Sequence, residues 1–193
     1  MTDDAFDPDA VERGVRRWLE RAVIGLNLCP FARAVYAKGQ VRIVVSDAST
    51  PRALLAQLGE EMALLRDTPA EGIDTTLLVH PLVLAEFLDF NDFLDEADAL
   101  LEAMELDGVL QVASFHPDYQ FADSGPDDVE NLTNRAPWPI LHLLREDSVA
   151  RAVEAFPDPD AIVQRNIERV RALGFDGWQR LLADDDPGPP PTP

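Results

Sequence analysis

A single cysteine, Cys29, stands in 193 residues, so no intramolecular disulfide can form and no zinc cage of several thiolates is available. Lysine is as scarce: Lys38 is alone against fifteen arginines, which reads as genome composition bias rather than mechanism. No apolar run approaches the length of a membrane span. The glycine-rich phosphate loop, the Gly-x-Ser-x-Gly elbow, the His-Glu-x-x-His pair and the dinucleotide fingerprint are all missing, which argues against nucleotide cofactors held by those devices. The first residues, Met1 to Asp7, are acidic where a secretory signal would be basic and then apolar. The expectation is a chain that stays where it is made, in the cytoplasm.

Positive charge is also in short supply. The formal net charge is −20, and a surface of that sign repels phosphate backbones and anionic lipid, so neither nucleic acid nor membrane is an expected partner. The charge is uneven. Residues 13–39 hold Arg13, Arg16, Arg17, Arg21, Arg33 and Lys38 against Glu20 alone, a local balance of +5. A solvated arginine face on a helix accounts for this; so would a basic patch that draws a small anion towards the segment carrying Cys29.

What remains is ordinary globular material, 46% hydrophobic and 27% charged. Asp7-Pro8 starts a helix whose stripe is Val11, Val15, Trp18, Leu19, Ala22 and Val23, with Gly25 as its stop. Pro30 is placed to open a short helix through Tyr36. Residues 41–46, 75–80 and 109–115 read as strands, and 140–144 as a fourth. Helices are expected after Thr50-Pro51, over 91–104, near 148–155 and over 159–172, the last starting at Asp158-Pro159 and ending at Gly174, with a final turn near Trp178 packing back. Between them lies a long polar loop at about 116–139, a length more often functional than idle. The pattern predicts a single α/β domain over 1–183, with a mixed, partly parallel sheet of about four strands flanked by helices. Residues 184–193, acidic and proline-rich, read as a disordered tail.

Three segments carry residues that packing does not require: Asn27-Leu28-Cys29-Pro30-Phe31, Ser114 to Phe121, and Asn131 to Pro139 leading to His142. His80-Pro81 and His116-Pro117 each end a strand; parallel strands would bring both imidazoles to the carboxyl edge, where α/β folds bind ligands. For His80 a structural strand-end bond to a loop carbonyl is the better expectation, and His142 reads as a satisfied core residue. His116, followed by Asp118 and Tyr119, reads as functional. A small-molecule site at that edge would use Cys29 as nucleophile, His116 as base and Asp118 as orienter. Asn27, Tyr119, Asn131, Asn134 and Arg135 would hold an anionic or carbonyl group. Nothing in the sequence places Cys29 beside His116. A second reading makes Cys29, His116 and His142, with His80 or Asp118 as a further donor, a zinc or iron site, against which stands the lack of any short chelate spacing. A third is a non-catalytic interaction protein.

The strings Gly25-Leu26-Asn27-Leu28-Cys29-Pro30-Phe31-Ala32, Ser114-Phe115-His116-Pro117-Asp118-Tyr119-Gln120-Phe121 and Asn131-Leu132-Thr133-Asn134-Arg135-Ala136-Pro137, with Leu141 to Glu146 after them, resemble a bacterial family catalogued as domain of unknown function 1415. The resemblance runs from about Trp18 to Leu173. It implies a bacterial, cytoplasmic protein and brings neither an activity nor catalytic residues to transfer.

Overall fold

The computed structural model describes residues 6–155 and 159–183; the proposed tail at 184–193 and the cap at Asp158 lie outside them. Asp7 caps the first helix, α1 (Pro8–Trp18), its carboxylate accepting from the Asp9 N–H at 3.0 Å, with Pro8 at the start. The helix does not stop there. It widens into a π-helical stretch, Leu19–Ile24, before Gly25. The short helix expected from Pro30 is α2 (Ala32–Ala37), which starts two residues later. Then follow β1 (Val41–Val45), α3 (Pro51–Asp67), capped by the Thr50 hydroxyl, and β2 (Thr75–Val79). The next helix, α4 (Phe87–Ala103), starts four residues before the sequence pattern predicts, because Phe87 and Phe90 extend its buried face. After β3 (Leu110–Phe115), the long loop contains a 3₁₀ turn, Val129–Asn134. β4 (Ile140–Arg145) is the favoured strand, and α5 (Glu146–Ala155) follows it directly. The helix expected to end at Gly174 is broken there, at φ 66° and ψ 175°, and helix resumes to Leu182; the two arms together are α6 (Pro159–Leu182). Trp178 in the second arm is buried, as a returning turn requires.

The four strands lie in the order β1-β2-β4-β3. β1 and β2 are parallel, whereas β4 is antiparallel to both β2 and β3. The sheet is therefore mixed, and β2 and β3 point the same way. α3 and α4 cover one face, around Leu54, Leu58, Met62, Leu78, Phe90, Leu141 and Leu143. α1, α6 and the 3₁₀ turn cover the other, around Val15, Trp18, Leu77, Val79, Ile140 and Trp178. Successive strand residues alternate between these layers. Among the described residues no helix is long and apolar enough to cross a membrane.

Candidate functional site

The carboxyl edge of β2 and β3 carries His80 and His116, both fully buried. Their rings flank Phe90, with centroids 5.5 and 5.2 Å from its own, against the α4 layer. His80 Nδ1–H donates to the Val83 carbonyl at 3.0 Å, the strand-end bond expected of it. His116 Nε2–H donates to the Leu84 carbonyl at 3.3 Å, and its Nδ1 accepts the Asp118 backbone N–H at 3.0 Å. Two imidazoles thus clamp one short loop, in which Leu84 is held at φ 59°, an unfavourable conformation for a γ-branched side chain. Asp118 meets the ring through its backbone N–H, and its carboxylate charge opposes, without outweighing, the effect of burial on His116. Burial, opposed by the Val83 bond, drives His80 down to about 4, with neighbouring His116 a smaller contributor; burial also lowers His116. Tyr119 packs on Phe87, and burial raises its phenol, which faces Ser114.

The other polar residues of the long loop are consumed by the loop itself. Asn131, fully buried, accepts from the Phe121 N–H at 3.1 Å and the Ser124 hydroxyl at 2.7 Å, and donates to the Gly125 carbonyl at 2.8 Å. Asn134 accepts the His116 N–H through its backbone and the Thr133 hydroxyl through its side chain. Arg135 donates to the carbonyls of Tyr119 and Pro126, at 3.2 and 2.8 Å, rather than to any carboxylate. Its own carbonyl accepts the Trp18 indole N–H at 3.1 Å. These residues share one loop, and their hydrogen-bonding groups are turned to the loop itself.

Cys29 is elsewhere. It follows Leu28, which is buried in the layer of α1 and α6, whereas His116 packs against Phe87 and Phe90 on the opposite face. His142 also lies on the α1 face, where its Nε2–H donates to the Thr75 hydroxyl at 2.7 Å while that hydroxyl donates to the Leu143 carbonyl. Burial takes His142 down to about 4. The structure therefore does not bring Cys29 and His116 together as nucleophile and base. Nor does it assemble the zinc or iron site: among the described residues no three His, Cys, Asp or Glu side chains could hold a metal.

A cleft of about 800 Å³ opens instead beside the Cys29 segment, between Gly25, Leu26, Asn27 and Arg33 on one side and Arg169, Ala172 and Leu173 of α6 on the other. Its near wall has an unusual backbone. The π-helical stretch leads into Gly25, where a Cβ would collide with the Arg21 carbonyl, and into Asn27 at φ 50°. π-Helical turns are rare and cluster at functional sites. α6 grips this segment: Asn166 Nδ2 donates to the Leu28 carbonyl at 2.6 Å, and Arg169 Nη1 to the Asn27 carbonyl at 2.8 Å.

The charges around the cleft are unmatched. Next to the cleft, though not among its lining residues, Arg165 Nε and Nη2 and Asn166 Oδ1 are buried with no hydrogen-bond partner. Arg169, one helical turn beyond Arg165, is held below its ordinary value by burial and then by the Arg165 charge. Arg33 makes only a long 3.5 Å bond to the Ile24 carbonyl. No ion pair joins any of the three to a carboxylate among the described residues, although the chain holds 36 acidic side chains. Of the residues singled out in the sequence, Asn27 lines this cleft and Cys29 adjoins it. Arg165, Asn166 and Arg169 were missed. The signal for them was a like-charged pair at i and i+4, Arg165 and Arg169, which destabilises a helix unless something compensates it.

Comparison with curated proteins and with solved structures gives no match. A family model described as protein of unknown function (DUF1415) matches residues 10–180, nearly the whole of the described fold, and the chain belongs to that family.

Proposed function

We propose that this protein binds a small organic anion in the cleft between the Gly25–Pro30 loop and α6. The carrying observation is the pair Arg33 and Arg169, which line the cleft, bond only to backbone carbonyls and meet no carboxylate among the described residues. Guanidinium N–H groups in a fixed fork are matched by the oxygens of a carboxylate or phosphate. The surrounding net charge of −20 works against large polyanions such as nucleic acid. The ligand is therefore small. Its neighbour Cys29 is half-buried and free. Binding, rather than catalysis by a Cys29–His116 pair, is the activity this geometry favours.

The test is calorimetric titration of the full chain with phosphate, pyrophosphate, acetate and citrate at matched ionic strength. Multivalent anions are expected to bind and to raise the melting temperature; at a hundredfold excess over Kd the stabilisation is about 2.7 kcal/mol. Arg165→Ala and Arg169→Ala are each expected to weaken binding at least tenfold. Absence of binding by every anion up to tens of millimolar, or binding untouched by both substitutions, overturns the reading.

A further inference from the structure

We infer that the ligand of the arginine cleft is an amphipathic organic anion, with its carboxylate or phosphate head on Arg33 and Arg169 and a short aliphatic body laid against Leu26, Ala172 and Leu173. This rests on the anion-binding reading above and narrows it to anions that carry an apolar chain beside the charge.

The two walls come from distant parts of the chain, and each brings both a cation and apolar surface. On α6, Arg169, Ala172 and Leu173 fall at i, i+3 and i+4, the spacing that stacks side chains on one helical face. The guanidinium therefore stands about one turn before the apolar pair, about 6 Å along the axis. On the opposite wall Leu26 lies between Ile24 and Asn27, whose carbonyls accept from Arg33 and Arg169. Leu26 and Leu173 pack on the core of the α1 layer with only part of their surface, and Ala172 is exposed. Among the described residues that line the cleft there is no carboxylate, and Asn27 is the one uncharged polar side chain.

A compact inorganic anion answers the guanidiniums and leaves this apolar surface in water. An aliphatic body covers it, and each methylene moved out of water adds affinity. The volume of about 800 Å³ has room for body as well as head. The wall also sets a length. α6 breaks at Gly174, directly after Leu173, so the apolar stretch ends there. Its distance from Arg169, about 6 Å, is the reach of a chain of about four to six carbons.

Two homologous series read the body separately from the head: acetate, butyrate, hexanoate and octanoate, and methyl, butyl and hexyl phosphate. Each is titrated calorimetrically into the full chain at matched ionic strength. Within a series that binds, affinity is expected to rise roughly two- to fourfold for each added carbon, the scale of a half-buried to fully buried methylene, and to level off near six carbons. Ala172→Asn, at an exposed position, is expected to flatten that rise while the affinity of acetate and methyl phosphate holds. Ala172→Leu is expected to bring the levelling point to a shorter chain. A flat series in the native chain, with the one-carbon and two-carbon heads still bound through Arg169, overturns the apolar body and leaves the anion cleft standing. So does a rise that survives Ala172→Asn and Arg169→Ala unchanged, because the chains then bind elsewhere. No binding by any member of either series, nor by citrate, removes both readings.

Discussion

The loop at 116–139 and the cleft beside α6 are both rich in polar side chains, yet they differ in what those side chains do. In the loop, Asn131 makes three bonds and Arg135 two, all within the fold. Arg145 behaves likewise, donating to the carbonyls of Leu65, Thr68 and Ile73 at the end of α3. At the cleft, Arg33 and Arg169 meet no carboxylate among the described residues, and just beside it Arg165 leaves Nε and Nη2 unpaired and Asn166 leaves Oδ1 unpaired. A high density of polar residues marks a site poorly. Hydrogen-bonding capacity that the fold does not consume marks it better, because burying such capacity unmet is unfavourable unless a ligand meets it.

The largest effect that would sharpen this contrast is acid lability. His80 and His142 are held neutral, both down at about 4, whereas an unfolded histidine titrates near 6.5. Above pH 6.5 neither state is protonated and their contribution is fully present. As pH falls from 6.5 towards 4, the unfolded chain takes up protons that the folded chain refuses, so stability is lost across that window. The loss is on the order of 3 kcal/mol for each histidine. Denaturant unfolding at half-unit pH steps should show it, and His142→Gln should remove about one proton from the slope. A stability flat between pH 6.5 and 4 would contradict the buried, neutral assignment of both rings.

Next in size is Asn131→Ala, which orphans the groups that Asn131 ties together in the loop. The expected cost is about 2–4 kcal/mol, with anion binding at the cleft unchanged. Loss of binding without loss of stability would reverse the roles assigned to the two regions. Arg165→Met is expected to do the opposite. It removes a charge with unmet donors while keeping apolar bulk, so stability should hold or rise by up to about 1 kcal/mol while anion affinity falls. Smallest is Asn27→Ala, where a residue at φ 50° loses a side chain suited to that conformation. About 1 kcal/mol should be lost, and Asn27→Gly should cost almost nothing.

Much of the fold was legible. The Asp7-Pro8 and Thr50-Pro51 caps, the four strands and the shared direction of the strands ending before His80 and His116 all follow from turn chemistry and periodicity. The expected polar loop was also found, but its residues were expected to hold a ligand, because sequence does not say which partner a side chain meets. Arg135 was a candidate to hold an anionic group and is occupied by two carbonyls. Cys29 and His116 were candidates for one site, yet Leu28 beside Cys29 packs in the α1 layer, while alternation along β3 sends His116 to the α4 face. The π-helical widening before Gly25 has no propensity signature, and the cleft depends on α6 crossing a loop some 140 residues away in the chain. Local pattern cannot report such a contact.

The contrast between occupied and unoccupied arginines can be read directly from guanidinium Nε–Hε resonances in a uniformly labelled chain titrated with citrate at constant ionic strength. The account predicts that the Nε–Hε signals of Arg33, Arg165 and Arg169 shift in a saturable way and gain protection from exchange, while those of Arg135 and Arg145 do not move. Shifts spread evenly over all the arginines, or confined to Arg135, would contradict it.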